Sequence, residues 1–301
     1  MNTPLPPRRN PGPSGGYRLL RALDRVLPEA IFRPLRAAGT LVAMAGMAEQ
    51  RRHSYDYLTV ALARRPTWRD VFRHFFAFEE VLMTRLRVIN GQPHQSVFAP
   101  GSEDLRAWLE SGTPALLGTF HVGVTELQGC QIAMKLHHPM HVVRLRVGNS
   151  HDTEKLEELF GDRLHFIWIN EPAEMLLALK DAAATHGSIA LQCDRPGYSA
   201  RSEAFEFLGA RRVFPFTIYH LAQIFQRPVL FAVGVPDGPD RARLHAIPRY
   251  EPRPGEPRAE ALARARVHFQ GFLQMVEEIL REHPYLWFNF TPLNPVAPDS
   301  P

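Results

Sequence analysis

A histidine and a glutamate, His121 and Glu126, stand five residues apart where a short apolar run gives way to a helical pattern. The run at residues 115–120 predicts a buried strand, and the apolar spacing of residues 124–136 predicts a helix. The histidine would then lie at the junction, and the glutamate in the first helical turn could accept the proton of one ring nitrogen. The other nitrogen would be left as a general base for a hydroxyl, as acyl transfer from a thioester requires. The spacing alone also fits a histidine that has only a structural role.

A second polar cluster, Asp194 and Arg195, follows the predicted strand at residues 188–193. Ligand sites in parallel sheets gather beyond the carboxyl ends of the strands. We therefore expect both residues on the same edge of the sheet as His121, with the arginine holding a phosphate and the aspartate orienting that arginine. An aspartate that starts a turn and makes a surface ion pair is the alternative.

Three further polar residues, Arg144, Arg146 and Asn149, belong to the next candidate segment, which starts with the predicted strand at residues 141–147. Alternation along a strand puts the two arginines on one face. A buried strand carries charge on that face only near its end, so we expect at least Arg146 to reach the edge of the sheet where a substrate would bind, although an edge strand would explain the pattern equally well.

A third candidate cluster is formed by Gly209, Arg211 and Arg212, which stand between phenylalanine-rich segments. We expect these residues in a loop, where apolar and cationic groups together would suit an acyl chain beside an anionic head group.

No metal, organic cofactor or disulfide is expected. The run His137, His138 and His141 has no carboxylate or cysteine at ligand spacing. The two cysteines, Cys130 and Cys193, have no CxxC spacing, which indicates a chain suited to a reducing compartment.

Alternating strands and helices after residue 114 predict an α/β fold with a mostly parallel central sheet flanked by helices, preceded by an N-terminal helical extension. We expect a disordered arm at 1–16, helices at 17–94 with breaks at Pro28, Pro34 and Pro66 and a cap at Thr67, a catalytic domain at 95–295 and a tail at 296–301. The predicted strands are 115–120, 141–147, 165–169, 188–193, 203–208, 229–235 and 242–248, and the predicted helices of the domain are 124–136, 152–160, 172–185, 215–225 and 257–282.

Charge is concentrated at the front of this 301-residue chain of net charge +4, since residues 1–87 hold 15 Arg against 7 Asp and Glu. A basic, amphipathic N-terminal region suits an anionic membrane surface. A helix that packs on the core and exposes its charged face to solvent explains the pattern equally well. Nucleic acid is not expected as a partner, because the positive charge is interleaved with Leu and Val outside any binding motif. The longest apolar stretch, residues 37–47, falls short of the roughly 20 residues that span a bilayer, and residues 1–16 lack the apolar core of a signal peptide.

Taken in order, these segments resemble the bacterial lipid A biosynthesis acyltransferase family, the late lauroyl and myristoyl transferases of the lysophospholipid acyltransferase superfamily. The matching residues are Gly118 to His121 with Glu126, the arginine-containing strand with Asn149, Cys193 to Arg195 with Gly197, Phe207 to Gly209, Phe214 and Pro215, Pro228 to Leu230, and His283 to Trp287. The Asp194 and Arg195 form resembles that of a divergent branch of the family. The lack of an apolar first helix and the sequence after Trp287 depart from members that act on lipid A, so the acceptor lipid stays open.

The resemblance implies a lysophospholipid acyltransferase-like fold and transfer of a fatty acyl group from acyl carrier protein or acyl-CoA to a hydroxyl of a membrane lipid. It implies that the histidine is the base, that the acid is its partner and that the enzyme works peripherally at the cytoplasmic face of the inner membrane. A non-catalytic lipid-binding protein remains an alternative. So does a lipid hydrolase, although the chain has no Gly-x-Ser-x-Gly motif.

Overall fold

The computed structural model describes residues 14–145, 160–169, 172–199 and 201–297. The helices are α1 (Ser14–Val26), α2 (Glu29–Gly46), α3 (Ala48–Ala61), α4 (Trp68–Ile89), α5 (Glu103–Ser111), α6 (Thr125–Lys135), α7 (Pro172–Ala184), α8 (Thr217–Phe225) and α9 (Arg258–Glu282). The strands are β1 (Gln95–Phe98), β2 (Leu116–Thr119), β3 (Met140–Arg144), β4 (Leu164–Trp168), β5 (Ser188–Gln192), β6 (Ser202–Phe207), β7 (Ala210–Pro215), β8 (Val229–Pro236) and β9 (Arg241–Ala246).

Seven of these strands form one sheet in the order β1-β9-β8-β2-β5-β3-β4. The five strands from β8 to β4 run parallel, whereas β9 pairs antiparallel with β8 and carries β1 at the edge. The predicted α/β fold with a mostly parallel sheet is therefore confirmed. The edge strand β1 and the helix α5 were not predicted.

Helices cover both faces of the sheet, which explains why β8 is apolar at nearly every position. Phe231 packs with Phe269 and Phe272 of α9 on one face, whereas Leu230 joins the cluster that contains Trp108 of α5 on the other face. Gly118 of β2 leaves room for the Phe231 ring, since a Cβ at this position would overlap it. The core therefore fixes β2 firmly between its neighbours.

Two of the three breaks expected among the N-terminal helices are confirmed, whereas the boundary between α2 and α3 at Met47 was not predicted. Thr67 caps α4 in a capping box with Asp70, as expected, and Pro28 stands directly before α2. The break expected at Pro34 is wrong, because α2 continues through this proline and ends at Gly46. A proline removes a single helix hydrogen bond, and here the packing of α2 against α4 outweighs that loss.

Two other expectations concern residues at or beyond the limits of the described ranges, and a third concerns a membrane-spanning helix. The predicted arm overlaps α1, which starts at Ser14, while residues 1–13 lie outside the described residues. The predicted helix at 152–160 falls almost wholly outside them. Within the described ranges, no helix combines the length and apolar character that crossing a bilayer requires.

Candidate active site

His121 and Asp194 are brought together by the register of two neighbouring parallel strands. Thr119 at the end of β2 pairs with Gln192 at the end of β5, so the residues two positions further along each chain become neighbours. His121 Nδ1 lies 2.9 Å from Asp194 Oδ1 and 2.8 Å from Oδ2. The backbone N–H of His121 donates to Oδ2 at 3.0 Å. Both main chain and side chain of the histidine are therefore held by one carboxylate.

This contact determines which ring nitrogen can act as a base. An ionised carboxylate only accepts hydrogen bonds, so Nδ1 carries the proton and Nε2, on the far side of the ring, keeps its lone pair. The His121 side chain is 17% exposed, whereas that of Asp194 is completely buried. The reactive nitrogen thus belongs to an accessible ring, and its orienting anion is shielded from water.

Asp194 is kept ionised in spite of its burial. Burial raises the pKa of a carboxyl, but the charge and hydrogen bond of His121, the charge of Arg195 and the Trp287 N–H together hold the pKa of Asp194 well below its usual range. Trp287 Nε1 donates to Asp194 Oδ2 at 3.0 Å, and Asn294 Nδ2 donates to the Asp194 carbonyl at 3.0 Å. The aspartate therefore carries the negative charge that an orienting partner of a histidine needs.

Glu126 does not hold His121, contrary to the expectation from the sequence. Its Oε2 accepts from Arg85 Nη1 of α4 at 2.7 Å, and its Oε1 accepts from Gln192 Nε2 at 3.3 Å. The glutamate does lie in the first turn of α6, as predicted, but Asp194 already occupies Nδ1 of the histidine ring. Asp194, expected to orient an arginine, has the role that the sequence assigned to Glu126.

Glu126 is instead the centre of a cationic cluster beside His121. Partial burial raises its pKa, but the charges of Arg85, Arg144, His121 and Arg195 lower that pKa to about 2. Arg144 is the last residue of β3, and its guanidinium stacks 5.6 Å from the Phe166 ring centroid. Arg146 and Asn149 lie outside the described residues.

Arg195 lies at this edge of the sheet, as the sequence predicted. Its Nη2 donates to the Phe288 carbonyl at 3.3 Å. Its Nε is buried and has no hydrogen-bond partner among the described residues. A buried N–H without a partner is costly, so the described residues leave part of the hydrogen-bonding capacity of Arg195 unused.

The predicted loop around Gly209 is wrong, because this segment is a tight hairpin. Leu208 and Gly209 form its two-residue turn with φ values of 50° and 73°, and Arg211 and Arg212 belong to β7. Arg212 is buried and donates to the Asn294 carbonyl at 3.0 Å. Arg212 therefore fastens the C-terminal segment that supports Asp194.

The C-terminal segment around Trp287 is the main part of the site whose contacts the sequence did not predict. The Gly123 N–H donates to the Leu286 carbonyl at 2.8 Å, and the Phe288 N–H donates to the His121 carbonyl at 2.9 Å. Trp287 was picked out only through the family resemblance, and no local pattern shows that its indole reaches Asp194.

His74 of α4 holds the segment around Trp287 by a hydrogen bond to its backbone. Its Nε2 donates to the Trp287 carbonyl at 2.8 Å, and its Nδ1 lies 2.8 Å from Ser54 Oγ. Complete burial lowers the pKa of His74 to about 4, so the ring is neutral near pH 7. The N-terminal helices thus brace the residues that hold the candidate base, and no sequence signal pointed to this histidine.

In the part of the chain that the structure describes, no three His, Cys, Asp or Glu side chains are grouped so that they could hold a metal ion. Comparison with models of known protein families gives no match, and comparison with curated proteins gives none either.

Proposed function

We propose that this chain is an O-acyltransferase with a lysophospholipid acyltransferase-like fold, in which His121 is the general base and Asp194 its orienting partner. The observation that carries the proposal is the contact of Nδ1 with the buried Asp194 carboxylate at 2.8 Å, which leaves Nε2 as the basic nitrogen of a partly exposed ring. The acyl donor is an acyl thioester of acyl carrier protein or CoA, and the acceptor is a hydroxyl of a membrane lipid, either lipid A-like or another lipid. No cofactor is required.

In the proposed reaction, Nε2 of His121 takes the proton of the acceptor hydroxyl while its oxygen attacks the thioester carbonyl carbon. A C–O bond forms, the C–S bond breaks, and the proton passes from the imidazolium to the leaving thiolate. The negative charge of Asp194 stabilises the imidazolium. Positioned base catalysis of this kind contributes about 10²- to 10⁴-fold. Arg195, with its unpaired Nε, is the proposed donor to the oxyanion.

The cationic cluster supports an anionic substrate. Three arginines, Arg85, Arg144 and Arg195, stand against two carboxylates, those of Glu126 and Asp194, so these residues carry one excess positive charge next to His121. Both a phosphopantetheine thioester and a phosphorylated lipid would present a phosphate that such arginines bind. From the resemblance, we propose that acyl carrier protein is the partner and that the enzyme acts at the cytoplasmic face of the inner membrane.

The direct test is transfer of a labelled acyl group from acyl carrier protein and from CoA to extracted membrane lipids. We expect a labelled lipid ester with the wild type and at least a 100-fold slower reaction with His121→Ala. The matched control is His165→Ala, which removes an exposed histidine of β4. A folded His121→Ala protein with wild-type transfer would contradict the proposal.

The same assay separates the two alternatives. Release of free fatty acid from a labelled lipid, with trapping of an acyl-enzyme, would make the protein a hydrolase. Tight lipid binding with neither transfer nor release would make it a lipid-binding protein on the same fold.

A further inference from the structure

Helix α2 buries two polar residues and exposes most of its apolar ones, which is unusual for a helix on a protein surface. Its buried stripe, at every fourth residue, consists of Phe32, Arg36, Thr40 and Met44. Arg36 is only 5% exposed, and its guanidinium pairs with Glu79 at 2.6 Å and with Glu29. A helix that faced only water would be expected to bury its apolar side chains and expose its arginine.

The outward face of α2 is apolar over more than three turns. Beyond Arg33, the exposed residues of this fully described helix include no charged or polar side chain. They are Pro34, Leu35, Ala38, Gly39, Leu41, Val42, Ala43, Ala45 and Gly46. Val42 is 75% exposed and Leu35 is 52% exposed. Bulky apolar side chains are thus exposed along this side of the helix, and we call this set together with Ile31 the outward face.

An aromatic ladder on α4 continues this apolar surface. Trp68 and Phe72 stack with ring centroids 6.1 Å apart, and Phe72 stacks on Phe76 at 5.7 Å. Phe76 lines a groove of about 330 Å³ together with Ala30, Arg33, Pro34 and Ala37 of α2 and with Glu29, whose carboxylate is paired with Arg36 and Arg87. The ladder and the outward face therefore meet at this groove. The Trp68 side chain is exposed, as are Leu19 and Val26 of α1.

The charges around this surface favour an anionic lipid bilayer as its occupant. Residues 14–89 hold 13 Arg against 7 Asp and Glu, and most of the acidic side chains are already paired with arginines. Exposed Arg25 and Arg69 stand directly beside Val26 and Trp68. An apolar helix face with cations and a tryptophan at its border is typical of helices that lie in the plane of a membrane interface.

We propose that the outward face of α2, with Trp68, is a membrane-binding surface that inserts into the interface of an anionic bilayer. The same helix α4 that carries the aromatic ladder also supplies Arg85 to the cationic cluster beside His121. Docking through this surface would therefore hold at the bilayer the helix that contacts the candidate site. This link to catalysis rests on the function proposed above, whereas the binding itself does not.

The test is sedimentation of the full chain with vesicles of phosphatidylcholine alone and of phosphatidylcholine with phosphatidylglycerol. The double variant Leu35→Gln, Val42→Gln changes only the outward face. The matched control, Leu176→Gln with Leu177→Gln, changes two equally exposed leucines of α7. We expect the wild type to bind the anionic vesicles, with weaker binding at higher salt. We expect the Leu35→Gln, Val42→Gln variant to bind the vesicles at least tenfold more weakly than the wild type. The α7 control should bind within about twofold of the wild type, because only the outward-face variant loses apolar area that the bilayer would bury.

Equal binding of the two double variants, or no vesicle binding by the wild type, would overturn the proposal. A wild-type dimer that the Leu35→Gln, Val42→Gln change dissociates would assign the surface to a second copy of the chain and overturn it as well. Transfer to a short-chain, water-soluble acceptor separates docking from catalysis. We expect the outward-face variant to keep this activity and to lose transfer to vesicle lipids. If the wild type transfers to neither acceptor, the proposed function fails while the vesicle result still stands.

Discussion

Replacing Asp194 with asparagine changes the charge at the candidate site but almost none of its shape. Three N–H groups converge on this carboxylate, from the His121 backbone, His121 Nδ1 and Trp287 Nε1. An asparagine has a single acceptor oxygen. If that oxygen stays at the Oδ2 position, the new NH₂ group occupies the Oδ1 position and faces Nδ1 of His121.

A proton left on Nδ1 would face that NH₂ group 2.9 Å away. Nδ1 also lies 2.8 Å from the Oδ2 position, but an oxygen there already accepts from the His121 backbone N–H and from Trp287 Nε1. We therefore expect the ring to move its proton. Nδ1 becomes the acceptor and Nε2 carries the hydrogen, so the nitrogen proposed as the base has no lone pair to offer. The variant also loses the negative charge that stabilises the imidazolium. We expect Asp194→Asn to lower the rate of acyl transfer about 10²- to 10⁴-fold. This corresponds to about 3 to 5 kcal/mol of transition-state stabilisation.

The assay is single-turnover transfer from a labelled acyl thioester, with Glu126→Gln as the matched control. This control also turns a carboxylate into an amide close to His121. Glu126 is 40% exposed and paired with Arg85, and an ion pair of that kind contributes about 0 to 1 kcal/mol. We therefore expect Glu126→Gln to slow transfer by no more than about fivefold.

Nitrogen NMR of labelled histidine gives a readout that does not depend on turnover. We expect His121 to carry its proton on Nδ1 in the wild type and in Glu126→Gln, and on Nε2 in Asp194→Asn. The reasoning is refuted if Asp194→Asn folds and transfers at the wild-type rate, or if Glu126→Gln alone abolishes transfer.

Three further predictions concern the support of the site. The folded-state pKa of His74 lies below its unfolded value, so its contribution to stability is present above about pH 6.5 and lost as pH falls to about 4. That loss amounts to about 3 kcal/mol for this residue. Burial also lowers the pKa of His141 and of His268 to about 4, so urea unfolding should show a loss of stability across this range in both the wild type and His74→Gln, smaller by about 3 kcal/mol in the variant. Trp287→Phe removes one hydrogen-bond donor to buried Asp194 and should lower the free energy of unfolding by about 1.5 to 3 kcal/mol in the same measurement. A variant as stable as the wild type would contradict this prediction. Gly118→Ala forces a methyl group into the Phe231 ring and should cost about 1 to 3 kcal/mol, and an unchanged urea midpoint would show that the ring moves aside freely.

The α/β fold could be predicted because each parallel strand is a local signal. The apolar runs at β2, β5 and β8 are bounded by polar or glycine-containing segments, and the structure places these strands within one or two residues of their predicted limits. Since the carboxyl ends of parallel strands meet at one edge, the sequence also predicted that His121 and Asp194 share that edge. The capping box at Thr67 is equally local, and it too was read correctly.

The elements that the sequence misjudged depend on packing. Pro34 is tolerated inside α2 because the contacts with α4 hold the helix together. The arginines of β7 were assigned to a loop, whereas the hairpin follows from a two-residue turn at Leu208 and Gly209. Arg36 is buried because it pairs with Glu79 of another helix as well as with Glu29 of its own, and the contact with Glu79 cannot be read from local spacing.

By itself, the sequence determined that the chain is an α/β protein and that a histidine and several charged residues lie at the carboxyl edge of its sheet. The partner of His121 was decided only by the tertiary structure. Spacing along the chain favoured Glu126, but the pairing of Thr119 with Gln192 brings Asp194, 73 residues away, against Nδ1. Burial then stabilises the pairing of Asp194 with His121. A carboxylate removed from water must receive hydrogen bonds, and His121 and Trp287 donate them.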